Sequence, residues 1–219
     1  MINQVKYSND KYWLGYVASR DAEFCEAISG LHQAICIADD IADRAVAPYN
    51  AVHQLWYAIS AMSYFVTYPL KWGKIKPVIE RIYKSEQDNQ DFVPGKMDVV
   101  DELAIWETRS SLLDLYFTAW CVADSTVDTK DNWEWFEKFK LYCLTLDDCT
   151  DIESGEFEDA RQCKRNYVMM NYNYPDSYTN YEGQKQQLKF KSESIRGSLK
   201  LDDPIDSRLI EFMKGGNYA

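Results

Sequence analysis

The chain has 219 residues, 46% hydrophobic and 15% aromatic with nine glycines and six prolines, a globular composition with ample material for a core. Its 24 Lys and Arg against 35 Asp and Glu give a net charge of −11, which argues against a nucleic-acid backbone as partner. No run reaches about 18 uncharged apolar residues and no charged-then-apolar leader opens the sequence, so a cytoplasmic chain with no transmembrane segment is expected.

Helical periodicity dominates and alternating strand patterns are nearly absent. A first helix is expected over about Lys11 to Arg44, with a break near Gly30. Pro48-Tyr49-Asn50 is turn chemistry, and Ala51 to Tyr68 reads as a second helix ended by Pro69. Lys74 to Ser85 is a third, with Pro77 in or near its first turn, where a missing N–H is harmless. Glu86 to Gly95 is polar with a Pro-Gly and reads as a loop. Met97 to Ala123 is a long helix, Asp124 to Asp131 punctuates, and Asn132 to Glu153 is another helix. Ser154 to Glu158 turns, Asp159 to Met170 is a short helical stretch, and Asn171 to Tyr181 a surface loop. Helices over Glu182 to Leu199 and Pro204 to Lys214 close the chain. The expected architecture is all-α, a single helical domain over residues 1–219, bundled around a central cavity.

Two acidic motifs end apolar helical runs: Asp39-Asp40-Ile41-Ala42-Asp43 and Asp147-Asp148-Cys149-Thr150-Asp151. The D-D-x-x-D spacing puts the first and last acids at i and i+4, on one helix face. Like charges this close cost on the order of a few kcal/mol at an effective dielectric near 20. Acids at a helix C-terminus also oppose the helix dipole. A cation relieves both costs, and hard oxygen ligands suit Mg²⁺, which takes one or two carboxylates plus substrate phosphates. A third match, Asp202-Asp203-Pro204-Ile205-Asp206, reads instead as a helix start, with Asp202 and Asp203 as capping acids before Pro204. The six cysteines (25, 36, 121, 143, 149 and 163) form no C-x-x-C pair and read as reduced core thiols.

The order of these features resembles the class I isoprenoid synthase superfamily of polyprenyl diphosphate synthases and terpene cyclases. Leu31 to Asp43 is similar to that family's first aspartate-rich helix, and Asp-Asp-Ile-Ala-Asp resembles the first motif of its squalene and phytoene synthase branch. Phe139 to Ile152 resembles the second motif. Asp159-Ala160-Arg161-Gln162-Cys163-Lys164 is similar to the D-x-x-x-x-K element that follows it in the polyprenyl branch. Between them, Trp106 to Leu113 falls where the family carries a Lys-Thr diphosphate contact; here the position offers Arg109 with Thr108 beside it. The resemblance runs from about Glu23 to Phe212, by order and spacing more than by identity.

It implies an isoprenoid-synthase fold with metal ligands Asp39, Asp40, Asp43, Asp147, Asp148 and Asp151, and three Mg²⁺ ions between the motifs. It also implies an allylic prenyl diphosphate as substrate, diphosphate contacts from Arg109, Lys164 and Arg44, and a homodimer. The chain-elongating branch carries a Gly-Gly-Lys-Arg-type element for isopentenyl diphosphate. Before Asp39 this sequence offers only Lys6, Lys11 and Arg20, and that branch's Arg-Arg-Gly is reduced to Arg44-Ala45. The implied activity is therefore ionisation of the allylic diphosphate, in a terpene synthase or prenyltransferase manner, rather than ordinary elongation.

Residue by residue, Phe117, Trp120, Phe139 and Trp106 read as core, and His32 as a satisfied core histidine rather than a base. Arg161 and Arg165 read as partners of Glu156 and Glu158. A second enzyme class fits part of the pattern. Glu23-x-x-Glu26 followed by Asp40-x-x-Asp43 resembles the all-α nucleoside triphosphate pyrophosphatases, and requires the break near Gly30. A third reading is a non-catalytic helical relative whose acids only bind cations.

Overall fold

A computed structural model describes residues 10–42, 59, 61–91 and 112–153, and positions 186, 190, 193, 194, 197 and 198. Every regular element among these is α-helix and none is a strand, so the chain is all-α as expected. The helices are α1 (Asp10–Arg20), α2 (Ala22–Ala42), α3 (61–67, with position 59 also helical), α4 (Pro69–Asp91), α5 (Leu112–Ala123) and α6 (Lys130–Glu153). The chain divides into two compact units, Met1–Ile82 with Ser111–Thr129, and Tyr83–Ser110 with Lys130–Ala219. The division passes through α4.

In the first unit α1 packs on α2 and α5, and α2 on α5. Trp13 and Val17, one turn apart on α1, are both buried. On α2 the buried stripe is Phe24, Ala27, Ile28 and Leu31, the three- and four-residue spacing of an amphipathic helix. α5 is buried without interruption from Asp114 to Cys121, the pattern of a helix enclosed on all sides. Its Trp120 ring lies 4.5 Å from both Trp13 and Tyr16, and its indole N–H donates to the Trp13 carbonyl at 2.8 Å. Ring pairs of this kind contribute about 0.5–1.5 kcal/mol each beyond simple burial. Phe24 meets Tyr64 and Phe65 of α3 at 5.8 and 6.2 Å, and Phe65 meets Trp72 of α4 at 5.2 Å.

In the second unit α6 buries Trp135, Phe136, Phe139, Lys140 and Leu144. Trp135 stacks on Phe139 one turn later, centroids 5.2 Å apart and planes 11° from parallel. Buried Lys140 reaches Glu137 at 2.8 Å and sits over the Phe136 ring.

Several sequence-based boundaries shift. The expected break near Gly30 falls at Asp21 instead, and α2 runs unbroken through Gly30 to Ala42. The helix before Pro69 ends at 67, as expected, but Pro69 also begins the next: the Tyr68 carbonyl accepts the Lys71 and Trp72 N–H groups at 3.1 and 3.2 Å, and a proline N–H is dispensable there. Pro77 accordingly stands inside α4 rather than in its first turn. Glu86 to Asp91, read as loop, continues that helix: Glu86, Gln87 and Gln90 are good helix formers, and adding to an existing helix costs less than starting one. α6 begins at Lys130, close to its expected start, and is helical through Glu153. The described positions 186 to 198 are helical, as expected for Glu182 to Leu199. The turn at Pro48, the first part of the Met97 helix, residues 154–181 and the last helix lie outside the described residues.

Candidate functional site

The helix corner at Asp21 organises the first unit. The Asp21 N–H donates to Val17, closing α1, and its carbonyl accepts from Cys25, opening α2. Its side chain caps the new helix: Oδ1 accepts the Phe24 N–H at 2.9 Å. Oδ2 accepts from Tyr64 OH at 3.3 Å and from the Lys71 ammonium. Lys71 also donates to Tyr64 OH at 2.7 Å, and lies 4.7, 5.4 and 5.3 Å from the Phe24, Tyr64 and Tyr68 ring centroids. An ammonium held against three rings with one carboxylate is a cation–π cage with its counter-ion built in. Burial pulls the Asp21 carboxyl up, but hydrogen bonds from Lys71 and the Phe24 N–H hold it below the usual range. Burial likewise opposes the Lys71 charge, and Asp21 and Tyr64 raise its pKa regardless.

A second corner closes α5. Asp124 Oδ1 accepts from the Thr126 hydroxyl and N–H at 2.6 and 3.0 Å, while Oδ2 accepts from Tyr16 OH at 3.0 Å and lies 3.3 Å from Arg20 Nε. The Thr126 hydroxyl first, then its N–H and Tyr16, bring the Asp124 carboxyl down to about 2. Both corners join elements far apart in sequence; the sequence reading placed the end of a helix at Ala123 before Asp124, but missed the corner at Asp21 and the partners of both. The local signal at the first is Asp21 before Ala22-Glu23, a helix-start signature hidden by the apolar pattern that continues through it.

A cleft of about 810 Å³ lies beside α2. Glu23, Glu26, Gly30 and Gln33 of α2 line it, with Leu14 of α1 and Tyr64 of α3. This is one wall of the pyrophosphatase-like pattern, but not the pair of helices that pattern needs. Glu26 and Asp40 stand fourteen residues apart on one unbroken helix, about 21 Å along its axis, beyond the reach of one Mg²⁺ first shell.

Asp39 and Asp40 belong to α2, and Asp147, Asp148 and Asp151 to α6. Asp43, Arg44, Arg109 and Lys164 lie outside the described residues. The first motif belongs to the first unit and the second to the other. Among the described residues no three His, Cys, Asp or Glu side chains form a metal-holding group; the side chains of these aspartates are not in that set. His32 is the core histidine expected, 3% exposed and hydrogen-bonded through Nδ1 to Tyr116 OH. Phe117, Trp120 and Phe139 are core; Trp106 lies outside the described residues. Cys25, Cys36, Cys121 and Cys143 are in no disulfide. No described helix is long and apolar enough to cross a membrane.

No protein-family model, curated protein or solved structure matches this chain.

Proposed function

We propose that this chain is a Mg²⁺-dependent protein that ionises an allylic prenyl diphosphate and releases diphosphate, as a terpene synthase or prenyltransferase does. The reading rests on helical register. Asp39 follows His32 by seven residues on α2, and Asp147 follows Lys140 by seven on α6. Both reference residues are buried polar groups on their helix's inward stripe. Seven residues are two turns, so the first acid of each motif repeats, in sequence register, the place of that residue along its helix. Adjacent and i, i+4 acids on one helix cost free energy that a cation offsets.

The donor set fits Mg²⁺: six carboxylates with no thiolate or imidazole among them. When bound, the metal supplies Lewis-acid stabilisation of the charge that builds on the diphosphate leaving oxygens. The chain's own part is to hold and orient. Arg109 offers a planar fork for two diphosphate oxygens, while Lys164 and Arg44 add positive charge. Aromatic side chains, abundant at 15% of the sequence, suit an allylic cation by cation–π attraction.

Titration calorimetry with inorganic diphosphate, with and without Mg²⁺, tests the assignment on wild type, Asp39→Asn and Asp147→Asn. Mg²⁺-dependent binding that weakens at least about tenfold in either variant is expected. Equal affinity in all three proteins removes the carboxylates from the site.

A further inference from the structure

A second surface lies away from the acidic motifs. Ile59, Met62 and Val66 recur at three- and four-residue spacing on α3 and are 64%, 37% and 81% exposed. Helix-spaced hydrogen bonds run through Tyr68, from its N–H to Tyr64 and from Trp72 to its carbonyl, and carry the row into α4. There Leu70, 88% exposed, opens an exposed row with Lys74, Pro77 and Arg81 at spacings of four, three and four. One face thus presents four apolar side chains and then two cations. Surface leucines occur singly without meaning, but a contiguous exposed row marks an interaction site.

Charge decides what the row fits. From Ile59 to Ile82 the sequence carries Lys71, Lys74, Lys76 and Arg81 against Glu80 alone, in a chain whose net charge is −11. Lys71 is spent on Asp21 inside the fold, Lys76 lies 3.5 Å from Glu80, and Lys74 lies 3.7 Å from Asp128, with more than half of its side chain still exposed. A second copy docked through the same face brings the same positive segment, with Glu80 its one acid from Ile59 to Ile82. A plane of anionic headgroups offers the opposite charge, with an apolar layer beneath for Val66 and Leu70.

We propose that the α3–α4 face is a peripheral docking surface for an anionic lipid bilayer, apolar residues entering the headgroup layer while Lys74 and Arg81 meet the lipid charges. The net negative charge elsewhere confines attachment to this face, and attachment is salt-sensitive.

Flotation of the full chain with vesicles of phosphatidylcholine, pure or containing one-third phosphatidylserine, tests the proposal. Binding to the anionic vesicles alone is expected at about 0.1 M salt, and its loss at about 1 M, where the Debye length falls to about 3 Å. Lys74→Gln with Arg81→Gln weakens binding about 25-fold, at about fivefold per cation removed. Val66→Ser with Leu70→Ser weakens it at least about tenfold. These four positions are exposed, and far-UV circular dichroism verifies each fold; either pair suffices if the other misfolds. No flotation at either salt, or flotation that neither pair alters, overturns the proposal. So does a sedimentation-velocity dimer that Val66→Ser/Leu70→Ser dissolves with no vesicle binding, which gives the face to a second copy.

Discussion

Replacing Asp21 by Ala removes three interactions through one carboxylate. The N-cap to the Phe24 N–H contributes about 1 kcal/mol. The ion pair with Lys71 joins side chains that are 30% and 24% exposed, so it is discounted for solvent to about 1 kcal/mol. The Tyr64 hydroxyl, at 3.3 Å, adds about 0.5 kcal/mol. The sum is about 2–3 kcal/mol, or a Tm fall of about 5–10 °C for a chain of this size. Asp21→Asn keeps the cap, but its amide nitrogen cannot accept from Lys71 or Tyr64, a loss of about 1.5 kcal/mol. Urea denaturation followed by circular dichroism at pH 7 should therefore rank wild type above Asp21→Asn and Asp21→Ala lowest. The folded Asp21 pKa is depressed from 3.8, so its contribution is complete above that value and disappears as pH falls through the lower folded value. The gap between wild type and Asp21→Ala should narrow as pH falls below 3.8. An Asp21→Ala protein within about 0.5 kcal/mol of wild type at pH 7, or Asn as harmful as Ala, would refute the reasoning.

Trp120→Ala empties the centre of the α1–α5 contact and should cost about 3–5 kcal/mol in the same assay. Trp120→Phe should cost less, chiefly the hydrogen bond to the Trp13 carbonyl, about 1–3 kcal/mol. Burial pushes the Cys121 thiol up to about 12, so at pH 8 only about 10⁻⁴ of it is thiolate. Iodoacetamide mapping should leave Cys121 unlabelled in the native protein and label it in urea. The Asp124 carboxyl should titrate near 2 by carbon-detected NMR, and Thr126→Val should raise that value toward 3.8 by deleting the hydroxyl donor. Because this pKa is depressed, Asp124 stabilises the fold above about pH 3.8 and ceases to do so between 3.8 and about 2.

The helical class was legible because long apolar periodicities such as that of α2 leave no strand alternative. The α1–α2 corner was not. Val17 and Phe24, seven residues apart on either side of it, keep the same apolar spacing, so only the backbone and cap bonds of Asp21 reveal the break. Pro69 and Pro77 could each sit in a first turn, and the sequence reading chose the wrong one. The buried row Ile75, Val78, Ile82 extends upstream through Trp72 and favours the earlier start. The Asp21–Lys71–Tyr64 cluster spans 43 to 50 residues and carries no local spacing signal. The acidic motifs show the converse: their spacing is visible in sequence, and the structure adds that Asp39 and Asp40 are helical in α2 and Asp147, Asp148 and Asp151 in α6.

The central claim is tested most directly by diphosphate release with Mg²⁺, offering geranyl, farnesyl and geranylgeranyl diphosphate beside dUTP and dCTP. Release from a prenyl substrate, abolished by EDTA and by Asp39→Ala or Asp147→Ala with helicity intact, is the result predicted. Release from nucleotides alone, or prenyl turnover unchanged in either variant, would contradict it.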